Sequence, residues 1–208
     1  MTAASPLVFV VDDEPSVRKS LTRVLEASGY VVEAFASGRE FLARGPHPGP
    51  CCLLLDVKMP GLSGLKLQER LVAGGRRMSI VFVTGHVDVP KSVQAMKGGA
   101  VDLLTKPVDA KDLIAAIQRA LAKDAEDRTA ETRVAEIRQR VKLMTSRQME
   151  VFALVVTGML NKQIASALDI GEKTVKVHRG HVMEKMRAGS VAELVRLADR
   201  AGVTTPKL

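Results

Sequence analysis

Along the first 122 residues, short apolar runs alternate with segments whose apolar residues recur every three or four positions. Residues 7–11 form an apolar run that ends in acids, Asp12-Asp13-Glu14. Residues 16–29 carry Val17, Leu21, Val24 and Leu25 at helical spacing and stop at Gly29. Residues 31–35 are short and β-branched, and residues 37–42 predict a short helix. The unbroken apolar run over 51–57 predicts a strand buried on both faces. Helix follows over 65–73, strand over 80–84, helix over 89–97 closed by Gly98-Gly99, and strand over 101–105. Residues 108–121 place Leu113, Ile114, Ile117 and Leu121 on one helical face. Strands alternating with helices predict a doubly wound, five-stranded parallel sheet over residues 1–122.

The pattern then changes. Residues 123–141 are charged, rich in Ala, Glu and Arg, and free of Gly and Pro, so they predict a solvated helical linker. The apolar stripe lapses at Asp124, Arg128 and Glu131, which argues against a coiled coil. It resumes at Val134, Ile137 and Val141. Residues 142–208 read as all helical. Thr145-Ser146-Arg147-Gln148 is a capping-box pattern, and Ser190-Val191-Ala192-Glu193 is a second. Asn161 suits the N-cap of a helix running to about 168. The tight turn Asp169-Ile170-Gly171 leads into a longer basic helix, residues 172–187. Two helices joined by a tight turn, the second long and basic, predict a helix-turn-helix.

Charge sharpens this division. The chain carries +8, of which residues 1–141 supply +3 and residues 142–208 supply +5. A basic C-terminal third suits a polyanion partner. No run of about 18 apolar residues is present, so no membrane span is expected. The start of the chain lacks a basic-then-apolar signal pattern, and the expected location is the cytoplasm. The two cysteines, Cys51 and Cys52, are adjacent and should point to opposite faces of a strand, unpaired and without metal-ligand spacing.

In a doubly wound sheet, chemistry gathers at the carboxyl ends of the strands. Here those ends carry Asp12 and Asp13, then Asp56, then Thr84, then Lys106. Crowded carboxylates invite a hard divalent cation such as Mg²⁺. Asp56 can act as a nucleophile toward phosphorus. Lys106 and the metal would neutralise a moving phosphoryl group, and Thr84 would hydrogen-bond one of its oxygens. Gly85 leaves room for that group to enter.

Val10-Val11-Asp12-Asp13-Glu14, Asp56-Val57-Lys58-Met59-Pro60-Gly61, Thr84-Gly85-His86 and Thr105-Lys106-Pro107 resemble, in order, the motifs of response-regulator receiver domains. The resemblance covers about residues 5–122 and implies a flavodoxin-like fold. It implies phosphorylation of Asp56 by a sensor histidine kinase. It implies Mg²⁺ held by Asp13, Asp56 and the main-chain carbonyl of Lys58, with Asp12 acting through water. It also implies a cis bond before Pro107. Receivers commonly carry Phe or Tyr three residues before the lysine as a switch, whereas this chain has Leu103. A plain core leucine is the simpler reading of that position. Phosphatases with an aspartate nucleophile commonly place a second acid two residues later, where this chain has Lys58, so no enzyme is expected.

On the helix from Glu172, at about 100° per residue, Val175, His178, Val182 and Met186 share one face. Lys173, Lys176, Gly180 and Arg187 lie opposite, with Val177 beside them. His178 is therefore expected to pack inward as a hydrogen-bonded core histidine. Lys173, Thr174, Lys176 and Val177 are candidates for contact with DNA, Lys173 and Lys176 by reaching phosphates or guanine edges and Val177 by touching a thymine methyl. Arg179 and Lys162 suit flanking phosphates.

Leu143-Met144-Thr145-Ser146-Arg147-Gln148, Asn161-Lys162-Gln163-Ile164-Ala165 and Thr174-Val175-Lys176-Val177-His178-Arg179 resemble the LuxR/NarL-type four-helix domain over residues 142–204. The whole chain is most similar to the FixJ/TodT-like group of two-component transcriptional regulators. That likeness implies a homodimer on phosphorylation, double-stranded promoter DNA and RNA polymerase as partners, and activation as the output. In the last helix, Val191, Leu194, Val195 and Ala198 are expected in the core, with Leu197 and Ala201 bordering them as dimer contacts.

Overall fold

The computed structural model describes residues 6–85 and 88–203. It divides into two compact units, Met1–Arg128 and Thr129–Leu208. His86, part of one motif above, lies outside the described residues.

In the first unit the order is β1 (Leu7–Val11), α1 (Pro15–Ala27), β2 (Val31–Phe35), α2 (Gly38–Ala43), β3 (Cys51–Asp56), α3 (Gly64–Ala73), β4 (Ser79–Thr84), α4 (Val89–Lys97) and β5 (Asp102–Thr105), then α5 (Ala110–Lys142). The five strands pair in parallel in the order β2-β1-β3-β4-β5. This is the doubly wound sheet that the alternation predicts.

Alternation within each strand builds two cores. Phe9, Val11, Leu53, Leu55 and Phe82 face one side, where Phe41, Leu67 and Leu71 cover them. Val8, Val10, Leu54, Val81 and Val83 face the other, against Leu21, Leu25, Leu113 and Ile117. Phe9 and Phe41 meet edge to face at 5.3 Å. Cys51 and Cys52 fall into opposite cores and are both free thiols.

Helix α5 starts at Ala110, two residues later than its pattern suggests, and stays helical through the charged stretch to Lys142. Asp124 and Arg128, read above as solvated linker, pack against the first unit instead. Asp124 is only 4% exposed. Its Oδ2 accepts the Cys51 main-chain N–H at 2.9 Å and the Arg128 Nε at 2.5 Å. Arg128 also donates to the His47 carbonyl at 3.2 Å and to the Cys51 sulfur at 3.3 Å. Burial, with the Asp124 charge beside it, pushes the Cys51 thiol up and keeps it protonated. The stripe lapses because this part of the helix covers the polar start of β3 rather than an apolar face.

The second unit holds α6 (Ser146–Val155), α7 (Asn161–Leu168), α8 (Glu172–Met186) and α9 (Val191–Ala201). Phe152, Val155, Ile164, Val175, Val182, Met186 and Leu194 form its core with Ile137 of α5. The first capping box closes in both directions, with Thr145 and Gln148 exchanging bonds of 3.3 and 3.1 Å. In the second box, Ser190 accepts the Glu193 N–H, but the Glu193 carboxylate takes the N–H of Gly189.

Two readings need correction. Leu160, not Asn161, occupies the cap of α7, and Gln163 reaches back to its N–H at 2.8 Å. In α9, Val195 is 39% exposed, whereas Leu197 and Ala201 pack on the core. The α9 stripe is thus rotated from the predicted one, because the core lies on the Leu194–Ala198 side.

Replacing Asp124 with Ala should destabilise the first unit by about 3 kcal/mol, since it removes the charge partner of a partly buried guanidinium and the acceptor of a buried strand N–H. Asp124→Asn keeps an acceptor and should lose less. Denaturant unfolding checks this, and equal midpoints for the parent and both variants would refute the clamp.

Candidate phosphoryl-acceptor pocket and nucleic-acid face

All strands of the sheet run the same way, so their carboxyl ends share one edge. β1 and β3 are neighbours with Val11 opposite Leu55, so Asp12 and Asp56 emerge side by side. They are 1% and 5% exposed. Lys106, arriving from the end of β5, sets its Nζ 2.8 Å from Asp12 Oδ2 and 2.8 Å from Asp56 Oδ1. Asp12 Oδ1 accepts the N–H of Glu14 at 2.9 Å. Thr84 is buried at the end of β4, the strand beside Asp56. The Lys106–Pro107 peptide is cis.

Lys106 is thus in direct contact with both Asp12 and Asp56, with Thr84 alongside. Asp13 stands half-exposed on the rim, where its carboxylate has no hydrogen bond or ion pair among the described residues. Lys58 is exposed just beyond Asp56. Leu103 lies on β5 opposite Phe82, half-buried, and packs on the first core. It lines a narrow recess with Thr84, Val57 and Ser92.

Burial pushes the Asp56 carboxyl above the usual range, and the Asp12 charge adds to that. The Lys106 hydrogen bond and charge, with the Lys58 main-chain amide, pull it back. For Lys106, burial opposes the charge, but its bonds to Asp12 and Asp56 prevail and hold the amine above the ordinary lysine value.

Among the described residues, no three Asp, Glu, His or Cys side chains converge into a ready-made metal cage. Lys106, not a metal, spans Asp12 and Asp56. The donors still fit a hard divalent cation. They are all oxygens, and Asp56 Oδ2 is buried with no hydrogen-bond partner among the described residues. Asp13, Asp56 and the Lys58 carbonyl are the groups able to hold such an ion, with Asp12 behind them.

In the second unit, α8 buries Val175, Val182 and Met186. Lys173, Thr174 and Lys176 are exposed, and Val177 is 51% exposed. Lys162 is exposed on α7. Gly180 lies on open surface, where an added Cβ would meet nothing within 4 Å. Arg179 is half-buried and donates to Asn161 Oδ1 at 2.9 Å, so one of its nitrogens ties α8 to the first residue of α7. His178 is also half-buried, but its Nδ1 has no hydrogen-bond partner among the described residues, contrary to the expected bonded core histidine.

Two residues whose polar contacts matter here, Lys185 and Arg18, escaped sequence reasoning. Lys185 of α8 donates to the Leu143 carbonyl at 2.7 Å and to Gln148 Oε1 at 2.8 Å, fastening α8 to the cap of α6. Arg18 of α1 donates to the main-chain carbonyl of Asp12 at 2.7 Å. Only proximity to the motif hints at Arg18, whereas a lysine late in a basic helix carries no hint at all.

Lys106→Met should move the titration of Asp56 upward, because it removes the hydrogen bond and the charge of Lys106 and leaves burial and Asp12 repulsion opposed only by the Lys58 main-chain amide. Asp56 would then take up its proton at a higher pH as the solution is acidified. Carbon-13 NMR of the Asp56 carboxyl reads this directly, and an unmoved or lowered midpoint would contradict it.

Comparison with known proteins agrees with both halves. Residues 8–118 match the response regulator receiver domain, and residues 142–198 match the bacterial regulatory proteins of the luxR family. The chain is 44% identical to Nodulation protein W of Bradyrhizobium diazoefficiens, over 95% of this chain and 87% of that one. It is 43% identical to the Transcriptional regulatory protein FixJ of Azorhizobium caulinodans, over 94% and 93%. A structure of the response regulator StyR superposes with a TM-score of 0.80 at 43% identity, covering 95% of this chain and all of that one. The clustered acids and lysine of the first unit and the basic helix of the second are therefore parts of one regulator, and the chain belongs to the two-component response regulators that join a receiver to a LuxR-family DNA-binding domain.

Proposed function

We propose that Asp56 is the phospho-acceptor, loaded from a phosphohistidine of a cognate sensor kinase. One observation carries this reading: a buried carboxylate with one oxygen on Lys106 and the other without a hydrogen-bond partner among the described residues. An Asp56 oxygen forms the new bond to phosphorus as the donor P–N bond breaks. The electron pair of that bond returns to the imidazole, which takes up a proton. Asp13, Asp56 and the Lys58 carbonyl would hold Mg²⁺, with Asp12 acting through water, and the ion would draw charge from the phosphoryl oxygens. Lys106 supplies the fixed cation, and Thr84 closes on a phosphoryl oxygen.

Phosphorylation then favours a homodimer through α4, β5 and α5. In support, Val89, Val93 and Met96 form an exposed apolar stripe on α4 at spacings of four and three residues. Two weak DNA modules joined this way make one strong binder of two-fold-related promoter half-sites. A shift from about 1% to about 99% active requires about 5.5 kcal/mol of differential stabilisation. Lys173, Thr174, Lys176 and Val177 enter the major groove, while Lys162 and the spare donors of Arg179 hold phosphates. The output is transcription activation with RNA polymerase, in the cytoplasm. Among the described residues, no helix is long and apolar enough to cross a membrane.

Acetyl phosphate with Mg²⁺ should add one phosphoryl group, seen by intact mass, and Asp56→Asn should lose it. The phosphorylated protein should elute as a dimer and shift promoter DNA at lower concentration. Persistent dimerisation of the Asn variant would refute the switch. Lys176→Ala should weaken binding across DNA sequences and lower the salt slope by about one if it contacts a phosphate. An unchanged slope with altered base preference would assign it to a base edge.

A further inference from the structure

The polar groups of Asp12 are all engaged. Its N–H donates to the Phe35 carbonyl at 3.3 Å, Oδ1 accepts from Glu14, and Oδ2 meets Lys106. Its main-chain carbonyl accepts Arg18 Nη1 at 2.7 Å. Asp13 is the opposite case, since nothing among the described residues holds its carboxylate. Its aim is therefore set by the backbone that carries it.

That backbone begins with the peptide linking Asp12 to Asp13. The peptide is planar, so fixing its carbonyl also fixes the nitrogen of Asp13. Arg18 is the side chain that does so. It sits in the first turn of α1, where its own N–H bonds to the Glu14 carbonyl at 3.0 Å. The helix start, the turn and the guanidinium therefore form one closed unit. Arg18 has no carboxylate partner among the described residues, and its side-chain hydrogen bond goes to this carbonyl. A surface arginine used only for solubility would have no reason to point there.

We infer that Arg18 is a positioning residue for the metal step: by holding the Asp12–Asp13 peptide plane, it keeps the Asp13 carboxylate directed at the Mg²⁺ position. The inference rests on the proposed phospho-acceptor reading. It predicts a loss in metal affinity, not in phosphoryl chemistry. Groups that orient metal ligands typically contribute about 10-fold to 100-fold in metal affinity.

The test is calorimetric titration of the unphosphorylated, full-length protein with Mg²⁺, comparing the parent with R18A, R18K and D13N. R18A should raise the Mg²⁺ dissociation constant about tenfold. R18K, which keeps the charge and one donor but not the fork, should fall between R18A and the parent. D13N should lose most binding. The rate of phosphorylation by acetyl phosphate, a donor that needs no protein surface, should recover toward the parent rate for R18A at saturating Mg²⁺. R18A binding Mg²⁺ like a parent that does bind it would overturn the role of Arg18 alone. So would a rate defect that saturating Mg²⁺ leaves in place, or an R18K as weak as R18A with both unfolding early. A parent that takes up neither Mg²⁺ nor a phosphoryl group would overturn the phospho-acceptor reading as well.

Discussion

Two carboxylates that emerge from adjacent buried strands repel strongly, because little water is there to screen them. Asp12 and Asp56 are in that position, and Lys106 answers the repulsion by touching both. The lysine comes from the end of β5, with β4 between it and β3. It reaches the acids only when β3, β4 and β5 are already paired in register. Pocket and sheet are consequently coupled: the lysine meets the acids only in the complete sheet, and there it relieves their repulsion.

The neutralisation is incomplete, which keeps the pocket reactive. A fully satisfied Asp56 would be an inert buried salt bridge. Its Oδ2 instead has no hydrogen-bond partner among the described residues in a low-dielectric setting, a cost that a folded protein retains where chemistry needs an open lone pair. Burial raises the energy of the carboxylate, and Lys106 limits that rise. The acceptor thus has a cation against one oxygen and, among the described residues, an open second oxygen.

Much of this was legible in the sequence, and the reasons are physical. Strands buried on both faces have no tolerance for polar residues, so Asp12, Asp56, Thr84 and Lys106 stood out at their ends. Capping boxes announce themselves by fixed spacing, as at Thr145 and Gln148. What stayed hidden depends on polar groups meeting across the fold. Asp124 and Arg128, four apart with opposite signs, look like any solvated helical pair, and only the Cys51 N–H that Asp124 accepts at the start of β3 gives them a purpose. Asn161 has the chemistry of a helix cap, yet it sits one residue inside the helix and serves Arg179. In α9 a single-stripe reading could not separate Val195 from Leu197, because both border Leu194 and only the partner helices decide which one is covered.

The clamp of Asp124 and Arg128 bears on how such regulators are assembled by recombination. It places receiver contacts inside the stretch that sequence assigns to the linker, and the compact first unit extends to Arg128. A gene fusion spliced ahead of Asp124 would give a new output domain a receiver with an uncovered strand start and a bare Cys51 amide. A splice after Arg128 would transfer the receiver with its own seal. The seam at which domains can be exchanged is therefore set by a hydrogen bond to β3, not by where the hydrophobic pattern of α5 fades.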